Sequence, residues 1–220
     1  MNILVIGEEG NFKECQIKFG TRHHYLWERD HREAEKFLIN QQLVFDFTLD
    51  DQPECFEMYA HNTTRVFINT CKVSLADLTH SFDNKVDSLL FGFNGMPTFL
   101  TKGIMEVSLW KKEDEHELVQ VCHELQTDFI IVDDRVGLVT PRVICMIINE
   151  AFYTVQEGTA TREDIDTAMK LGTNYPHGPF EWCKIIGIKH VYELLEAVYE
   201  DTKDERYKIC PLLKKEYYRS

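Results

Sequence analysis

The sequence predicts an α/β unit, a parallel sheet covered by helices over residues 1–134, followed by an all-helical unit over residues 135–220. Three observations carry this. Short apolar runs alternate with helical patterns as far as about residue 134, the order that builds parallel sheets. Beyond that point strand patterns stop and helix punctuation takes over. Between residues 142 and 157, Val143, Ile144, Met146, Ile147, Ile148, Ala151, Phe152 and Val155 cover more than the single stripe of a surface helix. That helix is expected to be buried on most sides, by another domain, a second subunit or both.

The elements follow in order. Residues 3–6 read as a strand ended by Gly7, 11–19 as a helix, 23–27 as a strand, 31–40 as a helix and 43–49 as a strand. A helix over 54–60, a strand over 65–68 and a helix over 74–81 opened by Ser74 come next. Residues 89–93 and 106–110 are further strands, 113–125 a helix whose first turn is crowded with acids, and 129–132 a buried strand. In the second unit, Gly158 suits the left-handed position that closes a helix. Thr161 stands three residues before Asp164 as an N-cap, Ile165, Ala168, Met169 and Leu171 form the next apolar face, Gly172 ends it, and Pro179 opens the following helix.

A content of 44% apolar and 28% charged residues is that of an ordinary soluble globular protein. The net charge of -13 disfavours nucleic acid and anionic membrane as partners, because both need clustered Lys and Arg. Seven scattered cysteines without a Cys-x-x-Cys pair point to neither a disulfide framework nor a zinc site, so no metal and a reduced, cytoplasmic setting are expected. Residue 1 leads directly into a strand and no apolar run approaches ~18 residues, so neither export nor membrane insertion is expected. His23 and His24 lack a second pair of metal ligands and read as strand or turn residues.

Residues 164–180, DIDTAMKLGTNYPHGPF, together with Ile186 and Gly187, Leu194 and Leu195, Arg206 and Tyr207, and Pro211, Leu212 and Leu213, resemble the C-terminal domain of 3-hydroxyacyl-CoA dehydrogenases, especially 3-hydroxybutyryl-CoA dehydrogenases. The resemblance implies a Rossmann-like N-terminal domain, here shortened, and an all-helical dimerisation domain of the 6-phosphogluconate dehydrogenase C-terminal type. It also implies NAD as cofactor, oxidation of a short 3-hydroxyacyl-CoA in fatty-acid metabolism, and a homodimer formed through the helical domain.

The functional positions depart from that pattern. A dinucleotide turn needs Gly-x-Gly-x-x-Gly, and here it reads Gly7-Glu8-Glu9-Gly10-Asn11-Phe12. Gly7 and Gly10 are the candidate cofactor-binding glycines, and Glu28 or Asp30 the candidate ribose acid. By resemblance, Cys71 takes the place of the substrate-contacting serine, Phe91 that of the catalytic histidine, and Pro141 that of an asparagine, while Glu106 stands for the glutamate that orients the histidine. Phenylalanine cannot take a proton. His177 is a conceivable substitute base, but a loop histidine at a packing position is the preferred reading. The expectation is a dehydrogenase relative with weak or lost activity, a pseudoenzyme; the alternative is a non-catalytic homodimer that binds an acyl-CoA-like ligand or a protein.

Overall fold

The computed structural model describes residues 1–82 and 85–220. They form two compact units, Met1–Leu138 and Val139–Ser220. In the first, seven strands run β1 Asn2–Ile6, β2 His24–Glu28, β3 Leu43–Asp46, β4 Arg65–Asn69, β5 Leu89–Phe93, β6 Ile104–Leu109 and β7 Asp128–Val132. Their order across the sheet is β2-β1-β3-β4-β5-β6-β7. Helices α1 Glu9–Phe19, α2 His31–Glu35, α3 Glu57–Ala60, α4 Leu75–Thr79 and α5 Glu115–Leu125 connect them.

The inner strands are continuous apolar runs because both faces of the sheet are covered. Alternate residues feed two cores: Ile3, Val5, Leu43, Phe45, Phe67, Phe91 and Phe93 on one side, and Leu4, Ile6, Val44, Val66, Ile68 and Leu90 on the other. Parallel register sets Phe45 beside Phe67 and Phe67 beside Phe91. Their ring centroids lie 4.9 and 5.0 Å apart, an aromatic ladder that ties three strands together.

Three sequence expectations of this unit need correction. The sheet is mixed: β6 runs antiparallel to β5, and β7 is again parallel to β6. Residues 94–103 contain no helix, and a parallel return needs a crossover of roughly a dozen residues or more. The strand expected to be buried, β7, is half exposed, with Ile130 at 46% and Ile131 at 44%, because it is an edge strand paired only with β6. The helices expected over 31–40 and 54–60 are broken, α2 giving way to a 3-10 turn at Leu38–Asn40 and α3 being preceded by one at Pro53–Phe56. Ser74 does cap α4, its hydroxyl accepting from Asp77 N at 3.0 Å.

The second unit consists of α6 Thr140–Gln156, α7 Arg162–Thr173, α8 Pro179–Ile186, α9 Ile188–Thr202 and α10 Pro211–Tyr217. Gly158 closes α6 with φ 72°, and Thr161 Oγ1 accepts from Asp164 N at 3.2 Å. Helix α7 runs through Gly172 and stops at Asn174, which takes the left-handed conformation at φ 57°; an asparagine tolerates that region nearly as a glycine does. Asp166 joins α7 to α8 by accepting from Phe180 N at 2.8 Å and Glu181 N at 3.2 Å. Asn149 pins the tail, donating to Lys208 O at 2.9 Å and accepting from Cys210 N at 2.8 Å.

Within this unit helix α6 buries only part of its surface. It buries Cys145, Ile148, Asn149, Ala151 and Phe152, but Val143 is 51% exposed and Ile144, Met146 and Ile147 are half-buried. Helix α7 has no buried residue, and its Leu171 is 82% exposed. Among the described residues no helix is long and apolar enough to cross a membrane.

Candidate active-site crevice

In an open α/β sheet the ligand crevice lies beyond the carboxyl ends of the strands, where the winding reverses. The order β2-β1-β3 places that point after β1 and β3. Gly7 leaves β1 with φ 152°, its N–H donating to Glu28 O at 3.0 Å. A Cβ at this residue would stand 2.8 Å from Asn11 Oδ1 and 3.1 Å from Phe47 Cβ, so the close approach requires glycine. Gly10 has open space around it and meets no such demand.

The turn that follows is closed by its own side chains. Glu8 N donates to Asn11 Oδ1 at 2.9 Å, and Glu8 O accepts from Asn11 N at 3.0 Å. Phe12 stacks on Trp27 at 5.7 Å between centroids and meets Tyr25 edge-on at 6.0 Å, filling the gap between α1 and β2. Trp27 Nε1 donates to Gly7 O at 2.8 Å, and the Arg29 guanidinium lies over the indole while pairing with Glu8 at 3.3 Å. Glu9 adds a second carboxylate at the helix start and pairs with Lys13. A pyrophosphate needs free backbone donors at a glycine-lined helix N-terminus. These residues do not fit one: the amide of Glu8 is already bonded, two carboxylates flank the turn, and an aromatic ring replaces the third glycine.

Of the two candidate ribose acids, Glu28 is half-buried at the end of β2 beside Ile6. Asp30 serves as the N-cap of α2, its Oδ1 accepting from Arg32 N at 2.8 Å and Glu33 N at 3.3 Å.

The ends of β3, β4 and β5 gather a polar cluster. Asn69 donates to Asp50 Oδ2 at 2.9 Å and to Phe47 O at 3.3 Å, and accepts from Gly95 N at 3.0 Å. A side chain at Gly95 would come within 2.7 Å of Asn69 Cγ, so the loop after β5 needs glycine for this contact. Cys71, 1% exposed, donates its thiol to Asn94 Oδ1 at 3.6 Å. Asp50 is buried, and its Oδ1 has no hydrogen-bond partner. Burial pushes its carboxyl well above the usual carboxylate range, against the pull of Lys72. Lys72 forms an ion pair with Asp51.

The remaining sequence candidates lie elsewhere. Phe91 is fully buried in the middle of β5, across from Leu109 and packed on Phe67, so the position expected for a catalytic base is hydrocarbon interior. Glu106 stands on β6 beside Ile130 and is 8% exposed. Pro141 is buried in the first turn of α6. His177 packs edge-on against Trp182 at 4.9 Å, the role of a packing histidine. Among the described residues no group of three or more His, Cys, Asp or Glu side chains is placed to hold a metal ion.

Two polar groups escaped the sequence reading. Asp134, just after β7, caps α4 by accepting from Leu75 N at 3.0 Å and Ala76 N at 2.9 Å; burial still raises its pKa. Asp46, at the end of β3, is fully buried with His31 and Tyr59 against it. A lone acid inside the apolar run Leu43-Val44-Phe45-Asp46-Phe47 was the available signal, since such a carboxylate must find partners.

Residues 137–218 match the family described as 3-hydroxyacyl-CoA dehydrogenase, C-terminal domain. The chain is 43% identical over 83 residues to 3-hydroxyadipyl-CoA dehydrogenase of Escherichia coli K12, covering 38% of this chain and 18% of the relative. It is 30% identical over 149 residues to 3-hydroxybutyryl-CoA dehydrogenase of Clostridioides difficile, covering 67% of this chain and 53% of the relative. The chain therefore spans about half, or less, of these curated relatives. In fold it is similar to crystalline FadB2 of M. tuberculosis, with a TM-score of 0.75 at 14% identity over 99% of this chain and 93% of the other.

Proposed function

The chain belongs to the 3-hydroxyacyl-CoA dehydrogenase family through its C-terminal domain, and on that premise we propose that it is a member whose NAD-dependent dehydrogenase activity is weak or lost. It acts instead as a homodimeric protein that binds an acyl-CoA-like ligand or another protein in the cytoplasm. Phe91 carries this reading. Oxidation of a 3-hydroxyl needs a base whose pKa lies near neutrality, and removing a positioned base costs about 10²–10⁴-fold in rate. The closed turn at Gly7, Asn11 and Phe12 supports it independently.

The homodimer rests on the uncovered apolar faces of the helical unit. Val143, Met146 and Ile147 line a surface cavity of about 400 Å³, flanked by Arg142, Arg206 and Tyr207. Patches of this kind on a soluble protein mark interaction sites.

Purified protein mixed with NADH and acetoacetyl-CoA is expected to leave the NADH absorbance unchanged, and calorimetry with NAD to show no binding. Turnover that disappears in Glu106→Gln would overturn the reading. Light scattering checks the dimer separately, and a monomer at micromolar concentration would refute it.

A further inference from the structure

Helix α2 has five residues, little more than one turn, and helices shorter than about a dozen residues are marginal by themselves in water. Its attachment therefore comes from packing. Ala34 and Leu38 enter the core, and His31, its first residue, is 5% exposed. The two ring nitrogens of His31 face Asp46 Oδ2 at 2.8 Å from Nε2 and Gln52 Oε1 at 3.3 Å from Nδ1. Both facing oxygens accept, and an imidazolium, with a proton on each nitrogen, satisfies both at once.

Asp46 demands the same charge state. It is wholly buried, and its remaining bonds come from uncharged donors: Thr48 N and Leu49 N at 3.0 Å and the Tyr59 hydroxyl at 2.8 Å. A buried carboxylate without a counter-charge is strongly destabilising, and His31 supplies that charge.

We propose that His31 is a charged latch: as imidazolium it fastens α2 to Asp46 and to the turn at Gln52, and the fastening fails when the ring gives up its proton. A neutral ring turns one nitrogen into an acceptor, which either faces an oxygen or requires the Gln52 amide to turn its NH2 inward, and it leaves the buried Asp46 carboxylate without a counter-charge. Burial opposes the ring's charge, but the hydrogen bond and charge of Asp46 outweigh it, with help from Gln52 and Asp30, so its pKa stands above the ordinary imidazole value. Tyr59 from α3 and the half-buried Cys55 thiol, itself held protonated mainly by burial, complete the surroundings. An adjoining cavity of about 430 Å³ is lined by His31 with Arg32 and Glu35 of α2 and Glu54, Glu57 and His61. Its three carboxylates favour the proton, while Arg32 and His61 oppose it.

The sign follows from linkage. A group whose folded pKa is raised stabilises fully below its unfolded value, near ~6.5 for imidazole, and that stabilisation is lost as pH rises through the folded value. Alkaline conditions therefore loosen α2.

Ring nitrogen NMR combined with amide exchange tests the latch on the intact chain. His31 is expected to titrate above the ordinary imidazole value of ~6.5. The amides of Ala34 and Phe37, which bond Asp30 O and Ala34 O, should lose at least about tenfold in protection on that same titration, after correction for intrinsic exchange, while Val121 in α5 does not. His31→Gln, which hydrogen-bonds without charge, should abolish the pH dependence of those amides. A ring that titrates at or below the ordinary imidazole value, or protection at Ala34 that follows Val121 throughout, would overturn the proposal. Should His31→Gln fail to fold, the wild-type ring titration together with the exchange at Ala34 and Val121 decides it.

Discussion

The helical unit and the α/β unit depart from the sequence pattern of their family in different ways. In residues 137–218 the punctuation and the apolar face remain readable: Gly158 closes α6, Thr161 and Asp166 cap the next helices, and Asn149 holds the tail. In the α/β unit the scaffold is equally well packed, with an aromatic ladder through β3, β4 and β5, yet the positions expected to carry chemistry hold other residues. Phe91 belongs to that ladder. A fold rests on many apolar contacts that tolerate substitution of similar volume, whereas acid–base chemistry rests on a few groups at fixed places. One can disappear while the other gains in packing.

Substitutions can break or sharpen this contrast. The largest effect is expected from Asp46→Ala, which removes the counter-charge and hydrogen-bond partner of the buried His31 ring and Tyr59 hydroxyl. It should cost about 3–5 kcal/mol, read as a lower urea midpoint. Phe91→His should cost about 1–3 kcal/mol by placing a polar ring in the core, and should restore no NADH oxidation, because the turn at Gly7 remains closed. If turnover appears, the turn at Gly7 does not exclude the cofactor.

The glycines of the crevice should separate by sign. Gly95→Ala forces a Cβ against Asn69 and is expected to destabilise by about 1–3 kcal/mol. Gly10→Ala, in open space in the first turn of α1, should stabilise by about 0.5–1 kcal/mol. Thermal unfolding of the pair checks both. The smallest stability change belongs to the helical unit. Ile147→Glu, on the uncovered face of α6, should shift monomer stability by no more than about 0.5 kcal/mol while abolishing the proposed dimer in light scattering. A large loss of monomer stability would instead make that face part of the core.

Much of the scaffold was legible because its signals are local. Ser74 made a cap, and the apolar runs at Leu43 and Leu89 made strands. The direction of β6 was not legible: a strand pattern has no polarity, and only the short link over residues 94–103 forbids the parallel return. The exposure of β7 escaped for a related reason, since Phe129, Ile130 and Ile131 read alike whether a strand lies inside the sheet or at its edge.

At the crevice, the sequence by itself determined that Glu9 and Phe12 stand where a dinucleotide turn has its second and third glycines, and that residue 91, the position expected by resemblance to hold the catalytic base, is phenylalanine. Composition at a motif position needs no coordinates. What fills those places was decided by tertiary structure alone. Asn11 turning back to Glu8, Phe12 lying on Trp27, Asp50 meeting Asn69 and His31 reaching Asp46 are side-chain encounters. Except for Asn11 with Glu8, they join residues that lie far apart along the chain. A partner for a buried polar atom is chosen by whatever the fold brings within about 3 Å, and sequence spacing does not encode that distance.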